Sequence, residues 1–401
     1  MRAGLAVVAV LLGLLSMTRS AADVVKRSDP GRAHALAPGN GRITALLAER
    51  RLGERPVAGA QASIVRMATL ALLQDPIAVP AVATLGFQAQ LGGDVAHARR
   101  LFAYSQMLSR RHLPTQLWAI EEAVARSDVP KTLQNYDLAL RTSKAAPELL
   151  FPVLAEAITD PSIRSSLQLT MSKRPAWGPG FITYASTTRN DPRATASLFA
   201  GLRRAGVQVP LGASARVIDR LIETGYADVA WRYYKTVHPH ADPRRSRDPE
   251  FKGDFKAPSQ FDWIPVDDET TSTSIQGAEH GGVFDFAVPT GLGGPLLRQR
   301  QMLTPGAYIL RGRSAGIQQP SQSLPYWEVT CGSGREVGRV IVPNSADNGG
   351  AFVGRLDIPV GCATQILALV ARPSEQMTGL TGQIERVQLS PISPDTAWHR
   401  Q

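Results

Sequence analysis

Apolar and polar positions along this chain fall into three regimes. Behind Arg2 runs an uncharged stretch from Ala3 to Met17 (AGLAVVAVLLGLLSM). From there to about residue 237, apolar residues recur at three- and four-residue spacing, the period of helices that bury one face. From Phe261 onward the period drops to two. Phe284, Phe286 and Val288 share one side, and so do Trp327, Val329 and Cys331. Phe352, Leu356, Ile358 and Val360 alternate with Arg355 and Asp357, the pattern of a half-buried strand.

Within the helical regime the chain repeats. Leu85-Gly86, Gly93-Asp94, Ala98, Phe102 and Ser105 mark one unit, and 34 residues later Ser127-Asp128 replaces Gly93-Asp94, Tyr136 replaces Phe102 and Ala139 replaces Ser105. Pro76 and Ala71 extend the register backward. Units of about 45–78, 79–112 and 113–146 follow, each a helical hairpin that buries its apolar stripe against its neighbours. Beyond 146 the register is lost but the helical period persists. Leu149–Ile158 and Ile163–Met171 form a pair broken at Asp160-Pro161, a cap followed by a first-turn proline. Asp191-Pro192 opens a helix that stops at Gly206, and Ala215–Glu223 with Ala227–Val237 make a last hairpin. Trp177-Gly178-Pro179-Gly180 reads as a loop between pairs.

Residues 238–260 are rich in charge and proline and lack apolar periodicity, so they read as a linker. After them come about eight short strands, with turns at Thr304-Pro305-Gly306, Asn344–Gly350 and Pro359–Gly361. That spacing predicts an antiparallel β-sandwich, jelly-roll-like. The expected fold class is multi-domain α plus β. An α-solenoid at 23–237 follows an N-terminal segment at 1–22, and the linker, a sandwich at 261–393 and a tail at 394–401 complete the chain.

Charge sharpens this division. Residues 1–260 hold 34 Lys/Arg against 21 Asp/Glu (+13), and residues 261–401 hold 10 against 13 (−3). The leading apolar run has the length of a signal-peptide core and is short for a spanning helix. Ser20-Ala21-Ala22 offers cleavage after Ala22, while helical periodicity continuing to Val25 fits a retained signal-anchor. Both readings place the bulk of the chain in an exported compartment. There, the two cysteines, Cys331 and Cys362, are expected to form a structural disulfide.

The repeat positions resemble the tetratricopeptide pattern. Ser109-Arg110-Arg111-x-x-Pro114-Thr115-Gln116-Leu117-Trp118 and Tyr136-Asp137-x-Ala139-Leu140-Arg141 resemble exported repeat proteins of bacterial envelopes. The sandwich is similar in architecture alone to galactose-binding and carbohydrate-binding-module domains. The resemblance implies a scaffold in the assembly or export of surface polysaccharide. The first-helix face of the solenoid would then show Phe87, Gln90, Trp118 and Glu121 to a protein partner, with inter-repeat core as the competing role for the two aromatics. Trp263 and Tyr326 are the expected glycan contacts, since sugar faces stack on aromatic rings.

Enzymatic signatures do not emerge. The sequence contains no G-x-S-x-G, H-E-x-x-H, Walker A or dinucleotide fingerprint. His238-Pro239-His240 with Asp242 supplies too few ligands for a metal shell. We expect a non-enzymatic protein without cofactor or metal that does not bind nucleic acid. The alternative is a polysaccharide-modifying enzyme whose candidates are Asp267, Asp268 and Glu269.

Overall fold

The computed structural model describes residues 2–54, 60–268, 270–277 and 281–392. Among them, fourteen helices precede ten strands in two antiparallel sheets. The chain divides into two compact units, residues 1–178 and 179–401. The break therefore falls inside the helical region. Glu269 and the 394–401 tail lie outside the described residues.

The first unit begins with α1 (Arg2–Val25), α2 (Pro30–Leu36), α3 (Gly41–Gly53) and α4 (Ala60–Gln74). It continues with α5 (Val79–Leu91), α6 (Val95–Leu108), α7 (Leu113–Ala125) and α8 (Val129–Thr142), then α9 (Ala146–Ala157) and α10 (Pro161–Ser172). The 34-residue step is visible in the backbone, because α5 and α7 start at 79 and 113 and α6 and α8 at 95 and 129. Local chemistry repeats with it. Asp94 and Asp128 accept the amides of His97 and Lys131 at 2.9 and 3.0 Å, capping α6 and α8. Gly93 and Ser127, just before those caps, take positive φ of 83° and 57° to reverse the chain. Phe102 is fully buried, and a Cβ on Gly86 would lie 3.0 Å from its ring, so close approach of α5 to α6 requires glycine there.

The outer part of α1 exposes Val8, Val10, Leu11, Leu12, Leu14, Leu15 and Met17. The same helix then buries Ala22 completely among Ala33, Ala37 and Ile43. The bond after Ala22 therefore lies in continuous, packed helix.

The second unit opens with α11 (Gly178–Thr187), in the segment expected to be a loop. Pro179 stands in its first turn, where a missing N–H breaks no helical bond. It continues with α12 (Pro192–Arg204), α13 (Leu211–Glu223) and α14 (Ala227–Val237). The strands are β1 (Ile264–Pro265), β2 (Ser272–Gln276), β3 (Val283–Val288), β4 (Gly294–Gln301) and β5 (Gly306–Ala315). After them come β6 (Tyr326–Cys331), β7 (Glu336–Ile341), β8 (Ala351–Ile358), β9 (Gln365–Ala371) and β10 (Leu380–Pro391). One sheet runs β1-β4-β9-β6-β7 and the other β2-β3-β10-β5-β8. Alternating residues of both, including Phe284, Trp327, Leu369 and Leu389, share one core. Val360 departs from the expected pattern. It lies past the end of β8, exposed in the Pro359–Gly361 turn.

Residues 238–260 do not behave as a linker. Ser246 exchanges hydrogen bonds with Leu389, whose carbonyl accepts the Ser246 amide and whose amide donates to Ser246 Oγ at 2.8 Å. Val387 N–H donates to Pro249 O at 3.0 Å. β3 covers β10 only as far as Ile384, and this strap takes the edge beyond it. Phe251 is fully buried in the sandwich core. High charge hid the segment because its arginine turns inward.

Cys331, at the end of β6, is bonded to Cys362, in the turn before β9, across a separation of 31 residues. Closing a loop of that length in the unfolded chain is worth about 3–4 kcal/mol. A Cys331→Ser/Cys362→Ser variant should lose about that much in urea unfolding followed by sandwich tryptophan fluorescence. An unchanged midpoint would show that the bridge does not restrain unfolding.

Candidate functional site

A cavity of about 520 Å³ opens within the second unit, between α13, the end of α14 and the 238–263 segment. That volume lies in the range of small-molecule sites. α13 brings Ser214, Ala215 and Ile218 to one wall, and α14 ends there with Tyr234 and His238. The Tyr234 hydroxyl donates to Asp262 Oδ1 at 2.7 Å. Asp262 Oδ2 in turn accepts the amide and hydroxyl of Ser259 at 2.9 and 2.7 Å. His238 stacks on the Tyr234 ring with centroids 4.4 Å apart. Burial, with Asp262 beside it, pushes the Tyr234 phenol up, so its proton stays on. Burial also lowers His238, which keeps the imidazole neutral.

Behind this wall lies Arg247. It is buried, at 8% exposure, and lines the cavity as well; burial lowers its guanidinium to about 10, still charged at neutral pH. Nε donates to Phe261 O at 2.6 Å and one terminal nitrogen to Gln301 Oε1 at 3.2 Å, while the other reaches Arg300 O. The rings of Trp231 and Phe261 lie 5.4 and 5.7 Å from its central carbon. Asp219, on α13, accepts the Gln260 amide at 2.7 Å. Burial, with Glu223 and Asp262 nearby, raises its carboxyl to about 6. Together these groups form a prearranged polar wall in which the Tyr234 proton is already committed to a carboxylate.

Several expected site residues take other roles. Trp263 is fully buried, with its ring 5.8 Å from Trp327 and its Nε1 donating to Asp248 O at 2.9 Å. Tyr326 is buried too, flanked by the guanidinium groups of Arg339 and Arg372 at 4.7 and 4.9 Å. Trp263 stands in the lining of the cavity with no exposed surface, and the Tyr326 ring is flanked by the two guanidinium groups. Alternation alone cannot distinguish an outward ring from one covered by long side chains of neighbouring strands. His238, His240 and Asp242 all line the cavity, but no grouping of three or more metal-ligating side chains occurs among the described residues. Asp268 is an exposed turn cap that accepts the amides of Thr270 and Thr271 at 2.9 and 2.7 Å, and Asp267 is exposed beside it.

In the first unit, Phe102 lies between Phe87 and Trp118, edge-on to one at 4.9 Å and stacked on the other at 4.1 Å. Phe87 thus packs within its own hairpin, and Trp118 joins that hairpin to the next. Gln90 and Glu121 are exposed. A polar chain that the repeat pattern does not reveal links α3 to α7. Glu49 Oε1 lies 2.8 Å from His112 Nε2, whose Nδ1 is 2.8 Å from Thr115 Oγ1, which is 2.8 Å from Ser105 Oγ. The order acid, imidazole, hydroxyl is that of an activated nucleophile. However, Thr115 and Ser105 are sealed from solvent, so the chain is a structural tie. Three hollows of about 230, 280 and 710 Å³ follow α6, α8 and α10.

No protein-family model matches the chain, and no curated protein matches it. Among solved structures it is similar to the enzymatically active domain of tailspike protein 4 of bacteriophage CBA120 (15% identity, 38% of this chain and 22% of that one, TM-score 0.25). It is also similar to CsCBM6-3 from Clostridium stercorarium in complex with cellobiose (14%, 33% and 95%, 0.21). A third likeness is to the human IFIT1 dimer with PPP-AAAA (15%, 56% and 64%, 0.29). The chain spans about a fifth of the tailspike domain's length. At these TM-scores none of the likenesses bears on ligand or activity.

The raised Asp219 carboxyl has a definite pH signature. Folded, it holds its proton to about pH 6, against an ordinary value of 3.8. Its contribution to stability is therefore complete below about pH 4, falls as pH rises to about 6 and is flat above that. Asp219→Asn, which keeps an acceptor for the Gln260 amide, should remove that slope. Urea midpoints for both proteins from pH 3.5 to 7.5 check it, and parallel curves would refute the assignment.

Proposed function

We propose that this chain is a membrane-tethered, non-enzymatic interaction protein of an exported compartment. In this reading the first unit is a tetratricopeptide-like solenoid that holds a protein partner. The jelly-roll-like sandwich of the second unit contacts glycan or another envelope component, in the assembly or export of surface polysaccharide. The observation that carries the reading is the dual character of α1. Val8–Val25 is long and apolar enough to cross a membrane. Eight large apolar side chains lie exposed along it, and at about 1.5–3 kcal/mol each, on the order of 10–25 kcal/mol favours their leaving water. Its inner end is part of a protein core through Ala22. Such a helix is a tether built into the body it holds. With Trp263 and Tyr326 buried, any glycan contact falls to the cavity beside Tyr234 and His238, whose lining includes Trp263.

The cavity also favours a second reading, a polysaccharide-modifying enzyme. Its residues would be those lining that cavity rather than Asp267 and Asp268. Steady turnover of a surface polysaccharide that is lost in a Tyr234→Phe variant would replace the first reading.

The tether is tested in membranes. The full chain should remain in the pellet after alkaline carbonate extraction, with residues 3–17 still present in its intact mass. Deleting residues 3–17 should release it to the supernatant. A mature chain beginning at Asp23 and free of membrane would remove the tether from the proposal.

A further inference from the structure

The three hollows of the first unit are one groove. The first two share Gln106, Lys131 and Asn135, and the second and third share Lys131, Gln134, Asp137 and Arg141. The groove runs over α6, α8 and α10, the second helices of successive pairs, while Gln116, Trp118, Ala119, Glu122 and Ala123 of α7 line its first two hollows and Gln90 and Glu121 do not.

Its charge is one-sided. Six cations line it (Arg99, Arg110, Arg126, Lys131, Arg141 and Lys173) against Glu122, Asp128 and Asp137. The three carboxylates are already engaged. Glu122 lies between Arg99 and Arg126 at 2.7 and 2.5 Å, Asp128 caps α8, and Asp137 holds Arg141 and the Trp177 indole. Among the described residues, Arg110, Lys131 and Lys173 form no salt bridge, and Lys131 reaches only the Gln134 amide at 3.1 Å. Residues 1–178 as a whole carry 21 Lys/Arg against 13 Asp/Glu, a surplus of 8. One large apolar side chain, Leu169 at 67% exposure, stands in the widest hollow beside Lys173.

The geometry points to an extended acidic segment of a partner protein as the occupant, its carboxylates on Arg110, Lys131 and Lys173 and an apolar side chain against Leu169. This rests on the reading of the first unit as a partner-holding solenoid and names the partner's chemistry. Charge complementarity selects an anion, and the exposed leucine selects a peptide over a hydrated acidic glycan. A flat lipid surface cannot enter a concave groove.

The test uses the full chain in detergent micelles and a fluorescein-labelled twelve-residue peptide alternating Glu and Leu, read by anisotropy. Arg110→Glu/Lys131→Glu/Lys173→Glu should weaken binding at least tenfold. Arg27→Glu/Arg32→Glu/Arg51→Glu, an equal charge change at exposed sites of the same unit, should weaken it less than twofold. Leu169→Ala should weaken it three- to tenfold, and a peptide with Gln for Glu should not bind. All the groove positions are exposed, and circular dichroism checks each variant. If the triple reversal melts early, the corresponding triple Gln variant replaces it. Equal losses from the two reversals would mean a diffuse field and overturn the proposal. So would hexagalacturonate binding as tightly as the peptide and indifferent to Leu169→Ala. Binding is read without a membrane, so failure of the tether and failure of the groove are separate results.

Discussion

A guanidinium taken largely out of water must find acceptors for its N–H groups, and Arg247 determines much of how the second unit is built. Its acceptors are the Phe261 and Arg300 carbonyls and the Gln301 amide oxygen. Its own backbone exchanges two further bonds with Gln299, at 3.0 and 3.1 Å. One residue thereby fixes the strap to β4, while its charge rests against Trp231 of α14 and Phe261. Removing one partner of such a network strands several buried polar groups, each at a cost of about 1–3 kcal/mol. The inward glutamines of β4 exist to serve this cation, and the cavity wall is formed by the same segment.

The first unit follows a different rule. Its helices meet through small residues and one intercalated aromatic, so close helix approach sets the geometry. Gly86 makes room for Phe102, and Phe87 and Trp118 hold that ring from two sides. Polar ties complete the contacts: Asn135 donates to the Ala119 carbonyl at 2.9 Å within the α7–α8 hairpin, and Glu49 reaches His112 across hairpins. With Phe102 consumed inside, the second-helix side shows mainly charge, together with the exposed side chains of Tyr104, Met107 and Leu169.

This division explains which features could be read from sequence. Helix starts are set by local chemistry, so Asp94, Asp128, Asp160 and Asp191 mark them directly, and the 34-residue step carries straight into the backbone. β3, β6 and most of β8 are equally legible because their inward positions are apolar. β4 is not, since Gln299 and Gln301 point inward and a bulge lies between Pro295 and Leu297. The strap fails for the same reason, as its key inward residue is charged. Trp263 and Tyr326 show the converse. An aromatic ring carries no mark in the sequence of whether it faces solvent, and here distant residues, Asp248 for one and Arg339 with Arg372 for the other, cover it.

The two hollow regions differ in what they can recognise. In the cavity beside Tyr234, the hydroxyl is spent on Asp262 and the Asp262 carboxylate on Tyr234 and Ser259. A ligand there would meet fixed dipoles and the edge of a neutral imidazole, a surface suited to an uncharged polar group. In the groove of the first unit the carboxylates are internally satisfied, and Arg110, Lys131 and Lys173 form no salt bridge among the described residues, so the unmet demand is for negative charge. Screening at physiological salt confines such attraction to about 8 Å, so the groove selects by contact and not by a field acting at a distance. Under the proposed tether long-range steering would be unnecessary: a chain held at one surface would meet partners by concentration, and its grooves would need to supply only short-range complementarity.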